Sequence, residues 1–148
     1  MTVVVHGDLT IKQESDVVNK VRQLLRMTSN EERRQIAAWI NKLKDQDIEI
    51  SAIETSHSIR IRFRCRTFKA LQHLYKLLMS LKLKDHLEET FEGVLESRRR
   101  IRLTVNWSEQ DCRRCMDYFN IGKLFAYLIT INRVNSFSFT PISSFNIH

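Results

Sequence analysis

The stretch Ser58-Ile59-Arg60-Ile61-Arg62-Phe63-Arg64-Cys65-Arg66 limits what this chain can fold into more than any other. Apolar and basic residues alternate strictly along it. Ile59, Ile61, Phe63 and Cys65 share one phase, and Arg60, Arg62, Arg64 and Arg66 share the other. Side chains on a strand alternate between faces, so the pattern predicts a strand with one dry face and one cationic, solvated face. An antiparallel sheet with a core on one side and water on the other fits that division. The rest of the chain must then supply helices to cover the dry side.

The flanking sequence does supply them. Thr2-Val3-Val4-Val5-His6 is β-branched and reads as a first strand ended by Gly7-Asp8, with Leu9-Thr10-Ile11 as its continuation after a turn. Val17, Val18, Val21, Leu24 and Leu25 recur at helical spacing and predict a helix over 14–27. Ser29-Asn30-Glu31-Glu32 has the form of a capping box, and Ile36, Trp39, Ile40 and Leu43 make the next helix amphipathic to Lys44. Ile48, Ile50 and Ala52 alternate with Glu49 and Ser51, which predicts a strand joined to the arginine strand by a hairpin near 54–57. Glu49 then shares the arginine face. One acid cannot neutralise four arginines, so that face is expected to stay basic.

Thr67 is placed to cap a helix whose stripe is Phe68, Leu71, Leu74, Tyr75, Leu78 and Leu81, continued by Leu83, Leu87 and Phe91. The phase slips between Ser80 and Asp85, so a break is expected there, and Gly93 is the expected end. Ile101, Leu103 and Val105 alternate with Arg102, Thr104 and Asn106 as a last strand. Ser108-Glu109-Gln110-Asp111 opens a last helix with Cys112, Cys115, Met116 and Phe119 on one face. The predicted architecture is α+β: a two-layer sandwich with a mainly antiparallel four-stranded sheet and helices packed on one face. Its core is expected to include Ile59, Ile61, Phe63, Leu71, Leu74, Leu78, Leu87, Phe91, Ile101, Leu103, Val105, Cys115 and Phe119. Residues 1–120 are expected to form one domain. After Asp117 no Asp or Glu occurs, and 121–148 reads as an acid-free apolar tail, a poorly ordered or alternative ending.

From Ser58 to Phe119 the chain resembles the TRADD-like N-terminal domain, the family named for the N-terminal domain of the tumour-necrosis-factor-receptor-associated death-domain adaptor. The residues carrying the likeness are Ser58-Ile59-Arg60-Ile61-Arg62-Phe63, Leu71-Gln72-His73-Leu74-Tyr75 and Leu81-Lys82-Leu83. They continue with Leu87, Phe91, Ile101-Arg102-Leu103-Thr104-Val105 and Cys112-Arg113-Arg114-Cys115-Met116-Asp117-Tyr118-Phe119. The resemblance implies an α/β sandwich that binds a partner, in the adaptor the TRAF domain of another protein, and that is no enzyme. It implies an interaction module of intracellular immune or cell-death signalling, in the cytoplasm. The adaptor's partner surface includes apolar and aromatic residues on the sheet side; here that side offers arginines, which fit an acidic surface.

The formal charge of +7 also points to an anionic partner. Arg60, Arg62, Arg64 and Arg66, joined by Arg102 and by Arg98, Arg99 and Arg100, are the candidate docking residues, since a guanidinium fork matches carboxylate or phosphate. Nucleic acid is the alternative partner. A base-stacking sheet needs aromatics on its open face, and Phe63 shares the phase of the dry residues, which leaves phosphate contacts alone.

Cys112-x-x-Cys115 has redox or zinc spacing, but both cysteines lie on the apolar stripe and no second ligand pair follows, so core packing is the reading. No nucleotide-binding glycine motif or nucleophile elbow occurs, and no cofactor or metal is expected. An odd cysteine count with no signal-like start suggests a reducing, intracellular setting. The longest apolar run, Leu124 to Ile131, falls short of the ~20 residues a membrane span needs.

Overall fold

The computed structural model describes residues 1–27 and 30–120. Four strands form one sheet in the order β2-β3-β1-β4: β1 (Thr2–Gly7), β2 (Ile48–Thr55), β3 (Ile59–Cys65) and β4 (Leu103–Trp107). Every neighbouring pair is antiparallel. α1 (Ile11–Arg26) and α2 (Asn30–Asp45) link β1 to β2, and α3 (Phe68–Met79) and α4 (Lys82–Leu95) link β3 to β4. Residues 109–120 are helical and form α5. The chain is therefore two β-α-α-β units whose strands interleave, a split βαβ arrangement with a helix pair in each crossover. The expected α+β sandwich is what the chain forms.

The core lies between the dry sheet face and the helices. Val3 and Val5 of β1 and Ile59, Ile61 and Phe63 of β3 are at most 1% exposed. Against them pack Val17, Val21 and Leu24 of α1, Trp39, Ile40 and Leu43 of α2, Leu74 and Leu78 of α3, and Leu83, Leu87 and Phe91 of α4. Each such side chain contributes about 1.5–3 kcal/mol when buried, against the entropy of ordering it. Gly7 marks a close approach: a Cβ there would lie 2.6 Å from Leu103 Cδ2 and 3.1 Å from the Arg102 carbonyl oxygen.

Several expectations change. Leu9-Thr10-Ile11 does not extend the first strand. Thr10 Oγ1 accepts from Gln13 N at 3.1 Å while Gln13 Oε1 accepts from Thr10 N at 2.9 Å, a capping box that starts α1 three residues early. Ser29, the expected cap of the second helix, lies outside the described residues, and α2 is interrupted at Ala37 (φ −146°, ψ 53°). Thr67 does cap α3, accepting from Ala70 N at 3.0 Å. The break after it falls at Ser80-Leu81, with Leu81 in the left-handed region at φ 61°.

Gly93 does not end α4. The helix runs to Leu95, and Glu96 takes the left-handed position that glycine usually fills. Ser97 N then donates to Glu92 O at 3.0 Å and Glu96 N to Gly93 O at 3.3 Å, which satisfies the last carbonyls. Ile101 and Arg102 precede β4 rather than belonging to it. Two carboxylates of α4 hold that approach: Ile101 N donates to Glu92 Oε1 at 2.7 Å and Leu103 N to Glu88 Oε1 at 2.9 Å.

The core is also smaller at one end than expected. Val105, Cys115 and Phe119 are half-buried, Tyr75 and Leu81 are exposed, and Cys112 is the buried cysteine of α5. The reason is where α5 sits. Asp111 Oδ2 accepts from Thr2 N at 3.0 Å and the Phe119 ring meets Phe68 at 6.3 Å, so α5 closes the end of the sheet instead of covering its face. The tail 121–148 lies outside the described residues. No helix among the described residues is long and apolar enough to cross a membrane.

Candidate docking face and adjoining cleft

β3 presents Arg60, Arg62 and Arg64 in one exposed column on the face opposite the core, spaced by ~7 Å because they are every second residue. Their neighbours follow from the register. Arg60 stands between Glu54 of β2 and Val4 of β1, Arg62 between Ala52 and Thr2, and Arg64 beside Glu49. Among the described residues, β1 adds Thr2, Val4 and His6 to this face, and β4 adds Thr104 and Asn106.

The face carries two acids, not one. Glu49 and Glu54 are an odd number of residues apart, so a regular strand would send them to opposite sides. A register shift between Ile50 and Ala52 absorbs one residue at Ser51 and brings both glutamates onto the arginine face. Arg64 Nη1 reaches Glu49 Oε1 at 3.3 Å and Arg66 Nη2 reaches Glu49 Oε2 at 3.6 Å. Both guanidiniums are about two-thirds exposed (65% and 66%), and surface pairs of this kind contribute ~0–1 kcal/mol. Four arginines against two glutamates leave the face basic: Glu49 pairs with Arg64 and Arg66 at one end, Glu54 stands opposite Arg60 at the other, and no acid stands directly opposite Arg62.

The five predicted docking residues do not form one cluster. Arg60, Arg62 and Arg64 are together on β3, and Arg66 lies just beyond its end and shares Glu49 with Arg64. Arg102 is elsewhere. It precedes β4 at the far end of the sheet, two strands across and four residues along from Arg60, ~16 Å away by strand geometry. Arg98, Arg99 and Arg100 are exposed on the α4–β4 connection, not on the strand.

Beside the Arg62–Arg64 end of the column a cleft of about 470 Å³ opens between β3, the start of α3 and α5. Leu71, Phe63, Cys65, Cys115 and Phe119 line its apolar part, and Arg62, Arg64, Arg114 and Tyr118 its polar part. The Met1 ammonium group donates to Phe63 O at 2.8 Å and fixes the rim. Tyr118 meets Phe119 edge to face, with ring centres 5.5 Å apart. Arg114, Tyr118 and Phe119 were not predicted as site residues. The sequence signal was Arg113-Arg114 inside the Cys112-x-x-Cys115 spacing, and it has meaning only once α5 is known to cross the sheet end.

The fold brings Cys65 to the same cleft as Cys115, with Cys112 behind. Burial pushes the Cys65 thiol up to about 11, with the neighbouring thiols adding to it and the N-terminal ammonium group opposing it. Burial also raises Cys112, helped by Cys115 and Asp111. A thiol with a raised pKa is protonated at neutral pH and is a poor nucleophile. Among the described residues, no group of three or more His, Cys, Asp or Glu side chains could hold a metal ion.

Phe63 points into the core, and the open faces of β1 and β3 carry no Phe, Tyr or Trp; His6, at the end of β1, is the one ring on them. The paired rings on which sheet-based RNA binders stack two or three bases are therefore missing from these two central strands. Comparison with family models, with curated proteins and with solved structures found no match.

Proposed function

We propose that this chain is a non-catalytic protein-interaction module of cytoplasmic immune or cell-death signalling, as the TRADD-like resemblance implies, and that it docks an acidic, TRAF-type or other signalling partner on its open sheet face. One observation carries the reading: Arg60, Arg62 and Arg64 stand exposed in one column on a rigid strand whose other face is the core. A central strand already fixes the backbone that carries these side chains, and a guanidinium offers a planar fork to a carboxylate. Arg62, with Ala52 and Thr2 as neighbours, has no acid directly opposite it and is the centre of the surface.

The test reverses the column. Arg60→Glu, Arg62→Glu and Arg64→Glu together should leave the circular dichroism and urea transition close to wild type while weakening partner capture at least tenfold. Arg62→Glu alone should account for most of the loss. A partner retained at full affinity by the folded triple variant would sink the reading.

The nucleic-acid alternative rests on the same arginines and on exposed Arg98, Arg99, Arg100 and Arg102. Without paired rings on β1 and β3 it reduces mainly to phosphate neutralisation. Binding to a mixed RNA and duplex DNA pool should then fade steeply between low salt and ~150 mM. Tight or sequence-selective binding that survives that salt would replace the adaptor reading.

A further inference from the structure

We infer that the cleft between β3 and α5 is an anchor pocket for an acidic peptide segment bearing an aromatic side chain. This rests on the protein-docking reading and names the chemistry of the partner. The cleft has the size of a ligand pocket, about 470 Å³ against a usual ~300–1,000 Å³. Its floor is apolar, from Leu71, Cys65, Cys115 and Phe119, and suits a ring. Its mouth carries three guanidiniums, Arg62, Arg64 and Arg114, and among the described residues no carboxylate belongs to its lining.

That charge balance selects an acidic occupant. Glu49 engages Arg64 from outside the cleft, which leaves Arg62 and Arg114 as the cations best placed to receive carboxylates. Tyr118 is 74% exposed beside them. An exposed tyrosine and two arginines around an apolar recess have the composition of binding hot spots, where Tyr and Arg are enriched. The cleft is continuous with the arginine column through Arg62 and Arg64, so one extended peptide can seat its ring in the recess and lay its acidic residues along β3.

The experiment is to pan a random peptide library on the full chain and measure the selected peptides by fluorescence anisotropy. The expected consensus is one aromatic residue flanked by at least two Asp or Glu. Arg114→Glu and Tyr118→Ala, both at exposed positions, should each weaken the best peptide about tenfold or more, and bound peptide should slow iodoacetamide modification of Cys115. A consensus without acids, or peptide binding indifferent to Arg114→Glu, overturns the inference, as does failure to select any consensus. Displacement by ATP at the peptide's own concentration would assign the cleft to nucleotides instead. Self-association abolished by Arg114→Glu would assign it to a second copy. Peptides that depend on Arg60 and Arg62 but not on Arg114 or Tyr118 would remove the anchor pocket and leave the docking face standing.

Discussion

Thr90 joins two helices through one hydroxyl. Trp39 Nε1 donates to Thr90 Oγ1 at 2.7 Å, and that hydroxyl donates in turn to His86 O at 2.8 Å. The indole also stacks on the His86 ring, 5.5 Å between centres and 5° between planes. Thr90 is 1% exposed, so its replacement by valine keeps the shape but leaves a buried indole N–H with no acceptor. Such an orphaned donor costs about 1–3 kcal/mol. Thr90→Val should lower the urea midpoint with an unchanged slope, and Thr90→Ser should recover most of the loss; a midpoint equal to wild type would show that the bond is dispensable. Cys65 supplies a second prediction at this scale. Its thiol rises from 9.0 to about 11 on folding, so between those pH values the unfolded chain releases a proton that the folded chain keeps. Its contribution is therefore complete below pH 9 and is lost as the pH climbs through 11. The native alkylation rate of Cys65 should still be rising at pH 10, and the fall in urea midpoint above pH 9 should be shallower in Cys65→Ser. A rate that plateaus at pH 10 would contradict the burial assigned to this thiol.

The elements join where local rules are strained. Leu81 separates α3 from α4 in a left-handed conformation (φ 61°) that L-residues disfavour by roughly 1–2 kcal/mol, and it is 58% exposed, so it returns little by packing. Leu81→Gly should raise stability by roughly 0.5–1 kcal/mol, read as a higher thermal midpoint; a lower midpoint would mean that its partial contacts outweigh the strain. Only part of this junction was legible beforehand. The slip of the hydrophobic stripe between Ser80 and Asp85 located the break, because phase is a property of spacing alone. Nothing in the residues announced a left-handed leucine, since glycine is the usual marker. The same holds for β2. The alternation from Ile48 to Ala52 reveals the strand, but it runs on to Thr55 through a bulge at Ser51 that arises from pairing with β3, so Glu54, expected in the hairpin loop, is instead the second acid on the arginine face. α1 shows the opposite case, because Thr10-x-x-Gln13 is a capping box in plain sight, while Leu9-Thr10-Ile11 taken alone suggests a continuation of the first strand.

At the scale of the molecule, the strand order has a consequence for folding. β1 and β2 are never neighbours, because β3 lies between them, and β3 and β4 are separated by β1. Each β-α-α-β half therefore contains two strands that do not pair with each other in the native sheet; β2 and β3 can pair as a hairpin, but β1 must insert between β3 and β4 before the four-stranded sheet exists. The dry face of β3 was legible from alternation because it depends only on a two-residue period. The cleft was not, because it needs β3, α3 and α5 to meet from residues far apart in the chain. Local pattern locates elements, and long-range closure makes the site. Division in the turn after Ser56 should accordingly give two fragments, 1–56 and 57–148, that each lack a cooperative thermal transition. Mixed in equal amounts, they should recover strand and helix signal together, since the buried faces of Val3, Val5, Ile59 and Ile61 are complementary only across the cut. Circular dichroism of each fragment and of the mixture decides the matter. A cooperative transition in either fragment alone would mean that its helix pair and strands form a native-like core without the other half, and the interleaved sheet would then not be the unit of folding.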